Sequence, residues 1–391
     1  MRSASFAVAA ALAASACFGS PIARADGDEK PKTDLIDVLR PTPVGKGLDR
    51  LRIRPYGWVE ASLTASPLTD GDLRAARSFD AQAEGFQFHQ AYVALERTLP
   101  AKSCFDVGGK VSAMWGTDAR LIHCRGLFDH QDRSVEQFDL LEFYASARAP
   151  VADGLTVRLG RFDTIIGYEV IEALGNPLPS HSFLFSFAGP GTHTGVIATL
   201  DASPRWKATY GVVKGWDVWS DNNDALSQLA GVAWTSDPAG DSVNLSAVVG
   251  PERDGNDRDL RTVLDLIWTH AWTERLSTTV NADYGFEEGA APDGGDARWW
   301  GIAAYATDTG SDALSATWRV EFFRDEDGTR LGEPASLGEV TFGVDWKPNL
   351  CLPTLHLRPE IRWDHSFDGR YFDGGRRENQ LSLTLDVLFT F

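Results

Sequence analysis

Residues 379–391 read N-Q-L-S-L-T-L-D-V-L-F-T-F. Leu381, Leu383, Leu385, Val387, Phe389 and Phe391 take alternate positions, with Ser382, Thr384, Asp386 and Thr390 between them. Side chains alternate faces along a strand, so one face of this segment meets an apolar medium and the other meets water. A tilted strand crosses a bilayer with about 9–11 residues, and this run is long enough. As a soluble edge it would invite aggregation. In a closed barrel Leu381, Leu383, Leu385, Val387, Phe389 and Phe391 face lipid, and Ser382, Thr384 and Asp386 face the lumen. Leu388 departs from the pattern, and packing against the N-terminal tail is the expectation for it.

The same alternation recurs at 53–64, 86–97, 104–115, 138–148, 154–162, 193–200, 205–215, 227–235, 242–250, 260–271, 275–286, 297–306, 313–324, 338–347 and 355–364. With 379–391 this predicts sixteen antiparallel strands in a transmembrane β-barrel over 52–391, the first strand closing on the last near Trp58. Connections alternate long and short, and most short ones carry tight-turn residues, as at Asp201–Pro204. Short periplasmic turns and longer outer loops are expected, with both termini in the periplasm.

The N-terminus supplies an address. Arg2, the apolar run Phe6 to Phe18 and Ala23-Arg24-Ala25 read as a signal peptide over 1–25. Residues 26–51 read as a charged periplasmic tail with one helical turn near Thr33 to Arg40. No continuous apolar stretch of 18 residues follows, so no transmembrane helix is expected. Asp plus Glu number 55 against 37 Lys plus Arg, which argues against nucleic-acid binding. Thirteen Trp suit a membrane interface. Together these point to the bacterial outer membrane, with its lipid as one partner. Cys104, Cys124 and Cys351 are placed too far apart in the strand order to pair, and free thiols are expected.

The third outer connection, about 163–192, is long and apolar for a surface loop. It carries Ile165, Ile166, Val170, Ile171, Leu174, Phe183, Leu184, Phe185 and Phe187. Folding into the lumen would bury them, so the loop is expected to narrow the pore, with Tyr168, Glu169, Glu172, Asn176 and His181 at the constriction. The alternative is a loop that stays outside against neighbouring loops or a second subunit.

Charged residues on the polar face of strands are the candidate pore lining. They are Asp106, Lys110, Glu142, Arg158, Lys207, Asp283, Arg319, Glu321, Asp345, Arg358, Glu360, Arg362 and Asp386. Arg or Lys facing the bilayer midplane costs about 2–4 kcal/mol, so these should face water or each other. Arg358, Glu360 and Arg362 form the densest ladder on one strand; Arg319 and Glu321 form a shorter one. Cross-strand ion pairing is the competing reading.

Asp221 to Asp224 and Asp325 to Gly328 could ligate calcium, but neither has a full twelve-residue loop, and solvated acidic tips are expected. Ser180, Ser182, His181 and His193 lie close in sequence, which alone does not assemble a hydrolase site. No G-x-S-x-G or H-E-x-x-H is present. No catalytic residue, metal or cofactor is expected, and His181 is read as a loop anchor.

Several words of the chain resemble one family. They include G-W-V-E-A-S at 57–62, G-T-D-A-R at 116–120, G-R-F-D-T-I-I-G-Y-E at 160–169, S-H-S-F at 180–183, T-H-T-G-V at 192–196, D-N-N-D at 221–224 and F-F-R-D-E-D-G-T-R at 322–330. In order and spacing the chain resembles the beta-barrel porin 2, or OmpL-like, family over essentially all of 53–391. The resemblance implies an outer-membrane barrel with a pore and brings no catalytic residues. The reading is a water-filled channel for passive diffusion of small polar solutes or ions. The alternatives are a structural or ligand-binding barrel with a plugged lumen, or an outer-membrane hydrolase. Sixteen-stranded porins are often trimers, so a homotrimer is an open reading by analogy.

Overall fold

The computed structural model describes residues 35–68, 77–80, 84–99, 105–129, 134–238, 240–348 and 355–391. Its strands are β1 Ile53–Ala65, β2 Gly85–Arg97, β3 Asp106–Gly116, β4 Gln137–Ala149, β5 Gly154–Asp163, β6 Thr192–Ser203, β7 Trp206–Val213 and β8 Ser227–Thr235. They continue as β9 Asp241–Pro251, β10 Leu260–Ala271, β11 Leu276–Glu287, β12 Ala297–Ser311, β13 Leu314–Asp325, β14 Ala335–Trp346, β15 Leu355–Ser366 and β16 Asn379–Thr390. Each pairs with its sequence neighbours, and β16 returns antiparallel to β1, so the sheet has no edge. Closure leaves no strand edge toward lipid, where unpaired backbone groups would be costly.

The expected faces hold along the seam. Leu383, Leu385 and Val387 are exposed on the outer wall, while Ser382, Thr384 and Asp386 are buried on the inner one. Leu388 is completely buried in an apolar cluster with Trp58, Tyr92, Met114 and Leu141 of the inner wall and Ile171 and Ala173 of the third loop. Phe391 extends the seam past the strand: its N–H and C=O exchange bonds of 2.9 and 3.0 Å with Gly57. A Cβ on Gly57 would lie 2.4 Å from the Tyr92 carbonyl oxygen and 2.7 Å from the Phe391 ring, so this position admits only glycine.

Connections at one rim are short, two residues at 204–205 and at 312–313, and those at the other are long. The β12–β13 hairpin is tighter than the alternation implied: β12 runs on to Ser311 with a register irregularity between Asp308 and Ser311. At the N-terminus a helix spans Leu35–Leu39 (α1), where one turn was expected, and a second spans Pro43–Leu51 (α2). Gly45 and Gly47 hide α2 from propensity. Its start is nevertheless conventional: Pro43 opens it and the Thr42 hydroxyl accepts the Gly45 N–H at 3.1 Å. The signal-peptide reading of 1–25, Cys104 and Cys351 lie outside the described residues. Cys124 is free and buried, its Sγ 3.3 Å from Thr192 Oγ1.

Gly57→Leu should block the seam. Overpacking of this kind typically costs about 1–3 kcal/mol. We expect a lower fraction of heat-modifiable, folded barrel after refolding into lipid vesicles, whereas Gly47→Leu, where a Cβ meets nothing within 4 Å, should refold like the wild type.

Candidate functional site

The third long connection, residues 164–191 between β5 and β6, enters the barrel and crosses it. On a ring of sixteen strands β13 lies eight places from β5, on the opposite wall, and the loop is bonded there. Its apolar residues explain the entry. Ile165, Ile166, Phe183 and Leu184 join inner-wall residues such as Leu229, Val263 and Trp299 in one core, with Phe187 packed on it. Ile171 joins the second cluster, with Leu174 and Phe185 packed against it. Fully burying such a side chain contributes about 1.5–3 kcal/mol.

A loop inside a barrel must also satisfy its backbone, since buried N–H and C=O groups need partners. The two charged ladders supply them. Glu321 of β13 accepts the Phe183 and Leu184 amides, both at 2.7 Å. Glu360 of β15 accepts the Ser180 amide at 3.1 Å. Arg362 donates to the His181 carbonyl at 2.5 Å and Arg358 to the Ala173 carbonyl at 3.1 Å. Elsewhere Gln90 bonds Ile171 and Ala173, Asn281 accepts the Tyr168 amide and Trp299 donates to the Ala188 carbonyl.

Arg319 of β13 is the hub. Its guanidinium donates to Glu339 Oε1 (2.6 Å), Glu169 Oε1 (2.8 Å), the Ser180 carbonyl (2.6 Å) and Ser180 Oγ (3.0 Å). Glu169 also accepts from Tyr305 Oη at 2.9 Å and the Ser182 amide at 2.8 Å, and contacts His181 Nδ1 at 3.2 Å. Burial alone would raise the Glu169 carboxyl; Arg319 and the bonds from His181 and Ser182 outweigh it and hold the group at about 2.

All thirteen candidate lining residues lie on the inner face of their strands, but the expectation that they meet open water is corrected for nine. Lys110, Glu142, Asp283, Arg319, Glu321, Arg358, Glu360, Arg362 and Asp386 are buried. Most are taken up by the loop or by each other. Arg358 also bonds Asp386 and Glu60, each at 2.6 Å, and Lys110 bonds Glu142 and, at 3.2 Å, Glu172 of the loop. The other four are part-covered or exposed, and three of them sit near the short-turn rim. Asp106 is bonded by Arg52 and Arg97, Lys207 lies 3.4 Å from Asp201, and Asp345 meets His356 at 2.9 Å. Arg158, nearer mid-strand, lies 5.2 Å from the centre of the Tyr144 ring.

The loop residues divide similarly. Tyr168, Glu169, Glu172 and His181 hold the loop to the wall, and His181 stacks on Phe185 at 4.0 Å as an anchor. Asn176 braces the loop internally through the Val170 N–H and C=O. Glu60, Glu339, Asp364 and Gln90 were not singled out from sequence, although each follows the alternation that marks the inner face. Arg161 was also missed; it is fully buried and reaches Asp139 and the Ile122 carbonyl, each at 2.8 Å.

Ser180 and Ser182 do not converge with His193, which bonds Thr164 and the Gly215 carbonyl. A different chain, Ser62–His89–Asp118 (2.7 and 3.2 Å), is buried in the wall and ties β1 and β2 to the second loop. The solvated-tip reading of the acidic loops is corrected at Asp325. This residue is fully buried and accepts the amides of Gly328, Thr329, Arg330 and Leu331. Asp221 likewise accepts the amides of Asn223 and Asp224.

A closed sixteen-stranded barrel with a lumen-crossing third loop is a porin architecture, and the sequence agrees. Residues 52–391 match the family model described as Putative beta-barrel porin-2, OmpL-like. The chain belongs to that family. As an OmpL-like barrel it resides in the bacterial outer membrane, short turns toward the periplasm. No curated protein sequence matches it. Among solved structures it is similar to the anion-selective porin from Comamonas acidovorans, with a TM-score of 0.61 at 12% identity over 87% of this chain and 99% of that one. The outer membrane channel DcaP of Acinetobacter baumannii matches at 0.57 and 11% identity, over 87% and 97%. The trimer form of Vibrio cholerae OmpT matches at 0.53 and 10%, over 87% and 99%. At these identities the likeness concerns the fold.

Arg319→Ala leaves Glu169 and Glu339 buried without their shared cation, a loss that typically costs about 3–5 kcal/mol. The loop should become protease-sensitive while the barrel stays heat-modifiable. Because the folded pKa of Glu169 is depressed, its contribution is complete above the carboxylate's ordinary 4.5 and fades as pH falls toward about 2. Proteolytic protection of the loop should therefore persist at pH 4, and Glu169→Gln should weaken it already at pH 7.

Proposed function

We propose that this OmpL-like barrel is a narrow, water-filled channel for passive diffusion of small polar solutes or ions, with the third loop as its constriction. The observation that carries the reading is the loop's placement: it spans the lumen from β5 to the far wall at β13–β15. We assign the path beside it to Tyr144, Thr156, Arg158 and Thr199, which are part-covered rather than buried. With Arg158 beside it and Asp106, Lys207 and Asp345 at the rim, charge of both signs along such a path would set up a transverse field that orders water and favours polar solutes. Family membership supports a channel rather than an enzyme. The trimer form of the Vibrio cholerae structure supports a homotrimer, the state we propose in the membrane.

One observation favours a second reading. Nine inner-face charges are buried and two apolar clusters join the loop to the wall, as a plugged, structural barrel would require. Planar-bilayer recording separates the two. A diffusion channel gives small stepwise conductance for the wild type and larger steps on deletion of Ile165 to Gly189. A silent wild type that conducts only after the deletion identifies a plug.

A further inference from the structure

The helix α2 meets the periplasmic rim with one apolar face uncovered. Val44, Leu48 and Leu51 recur at the four- and three-residue spacing that stacks side chains on one side of a helix. Val44 is 63% and Leu51 60% exposed, and Leu48 is part-covered. The adjoining side of α2 is already taken. Gly45 is buried against the Leu39 carbonyl of α1, so close that a Cβ would overlap it. Lys46 and Arg50 lie opposite the apolar row and are exposed, and among the described residues neither has an ion-pair partner. A helix of nine residues with two glycines is marginal in water, so its apolar row calls for a medium that covers it.

The attachment of α2 shows which medium that is. Arg97 Nε donates to the Leu51 carbonyl at 3.1 Å, and Arg52 bonds Asp106 at 2.6 Å. Arg97 is the cross-strand partner of Ile53, the first residue of β1. Alternation puts both on the outer face, in line with Val93 and Leu95, which are exposed. The last turn of α2, with Leu51, therefore adjoins the lipid-facing wall. Charge points the same way. The chain carries −18 overall, yet residues 40–54 hold five basic side chains, Arg40, Lys46, Arg50, Arg52 and Arg54, and one acidic side chain, Asp49. All six are exposed.

We propose that α2 is an interfacial anchor that binds anionic phospholipid of the periplasmic leaflet. Val44, Leu48 and Leu51 sit at the boundary of the acyl chains, and Lys46 and Arg50 meet phosphates at headgroup level. A helix of this kind lies in the plane of the interface and binds through buried apolar area plus attraction to anionic lipid. Lys and Arg suit that position because their stems lie along apolar surface while the charge stays among polar groups. The anchor holds the start of β1, the strand that closes the barrel on β16, at the membrane surface. It does not depend on whether the barrel conducts.

The test places a polarity-sensitive fluorophore at Val44→Cys or Leu51→Cys in the refolded full chain, its other cysteines changed to serine. The barrel is embedded in phosphatidylcholine vesicles containing phosphatidylglycerol, and folding is checked by heat-modifiable migration. We expect blue-shifted emission at both positions, quenched by nitroxide-bearing lipid about threefold more than at Asp312→Cys in an exposed turn. Vesicles without phosphatidylglycerol, or the pair Lys46→Glu and Arg50→Glu, should cut that quenching to about half. Water-like, unquenched emission at 44 and 51 in a folded barrel overturns the proposal. Blue-shifted emission that nitroxide lipid leaves untouched also overturns it, since a second copy of the chain then covers the face. Quenching indifferent both to vesicle charge and to the charge-reversed pair overturns the assignment to anionic lipid.

Discussion

A polypeptide segment inside a barrel must have its amides and carbonyls bonded, because wall and loop together exclude the water that would otherwise serve them. That constraint organises this protein. The third loop enters because its apolar residues gain by burial. It can stay only because the far wall presents ionised groups where loop backbone groups point. Glu321 and Glu360 accept amides, Arg358 and Arg362 supply donors, and Arg319 ties Glu169 of the loop to Glu339 of the wall.

The inner wall is therefore a seat more than a lining. Buried ion pairs contribute little net stability compared with an apolar core, because desolvation offsets much of the attraction. They do define one position, since any shift of the loop strands several charges at once. The open charges lie chiefly on the periplasmic side, where Asp106, Lys207 and Asp345 meet partners at the rim and Arg158 stands deeper over Tyr144.

Much of this was legible in the residues. Alternation in 379–391 and its fifteen counterparts located every strand, because a period of two with one face in lipid allows no other regular structure. The apolar character of 163–192 announced a loop that goes inward. Which charge meets which was not legible. Arg319 and Glu339 are twenty residues apart on neighbouring strands, but Arg319 and Glu169 are separated by 150 residues and half the ring. Alternation assigns a residue to a face; it says nothing of what else arrives there. Hence Arg358, Glu360 and Arg362 read as water-lining when they are covered. Asp325 failed for a related reason, since four loop amides fold back onto its carboxylate. The helix Pro43–Leu51 was obscured by its glycines, although Thr42-Pro43 marks its start.

The third loop is seated within the barrel by these charges. Amide hydrogen exchange of the lipid-embedded protein tests that most directly at Phe183 and Leu184, whose N–H groups donate to the Glu321 carboxylate. A seated loop should show protection comparable with the neighbouring strands β13 and β14. Exchange as fast as that of the outer loop tips would contradict it.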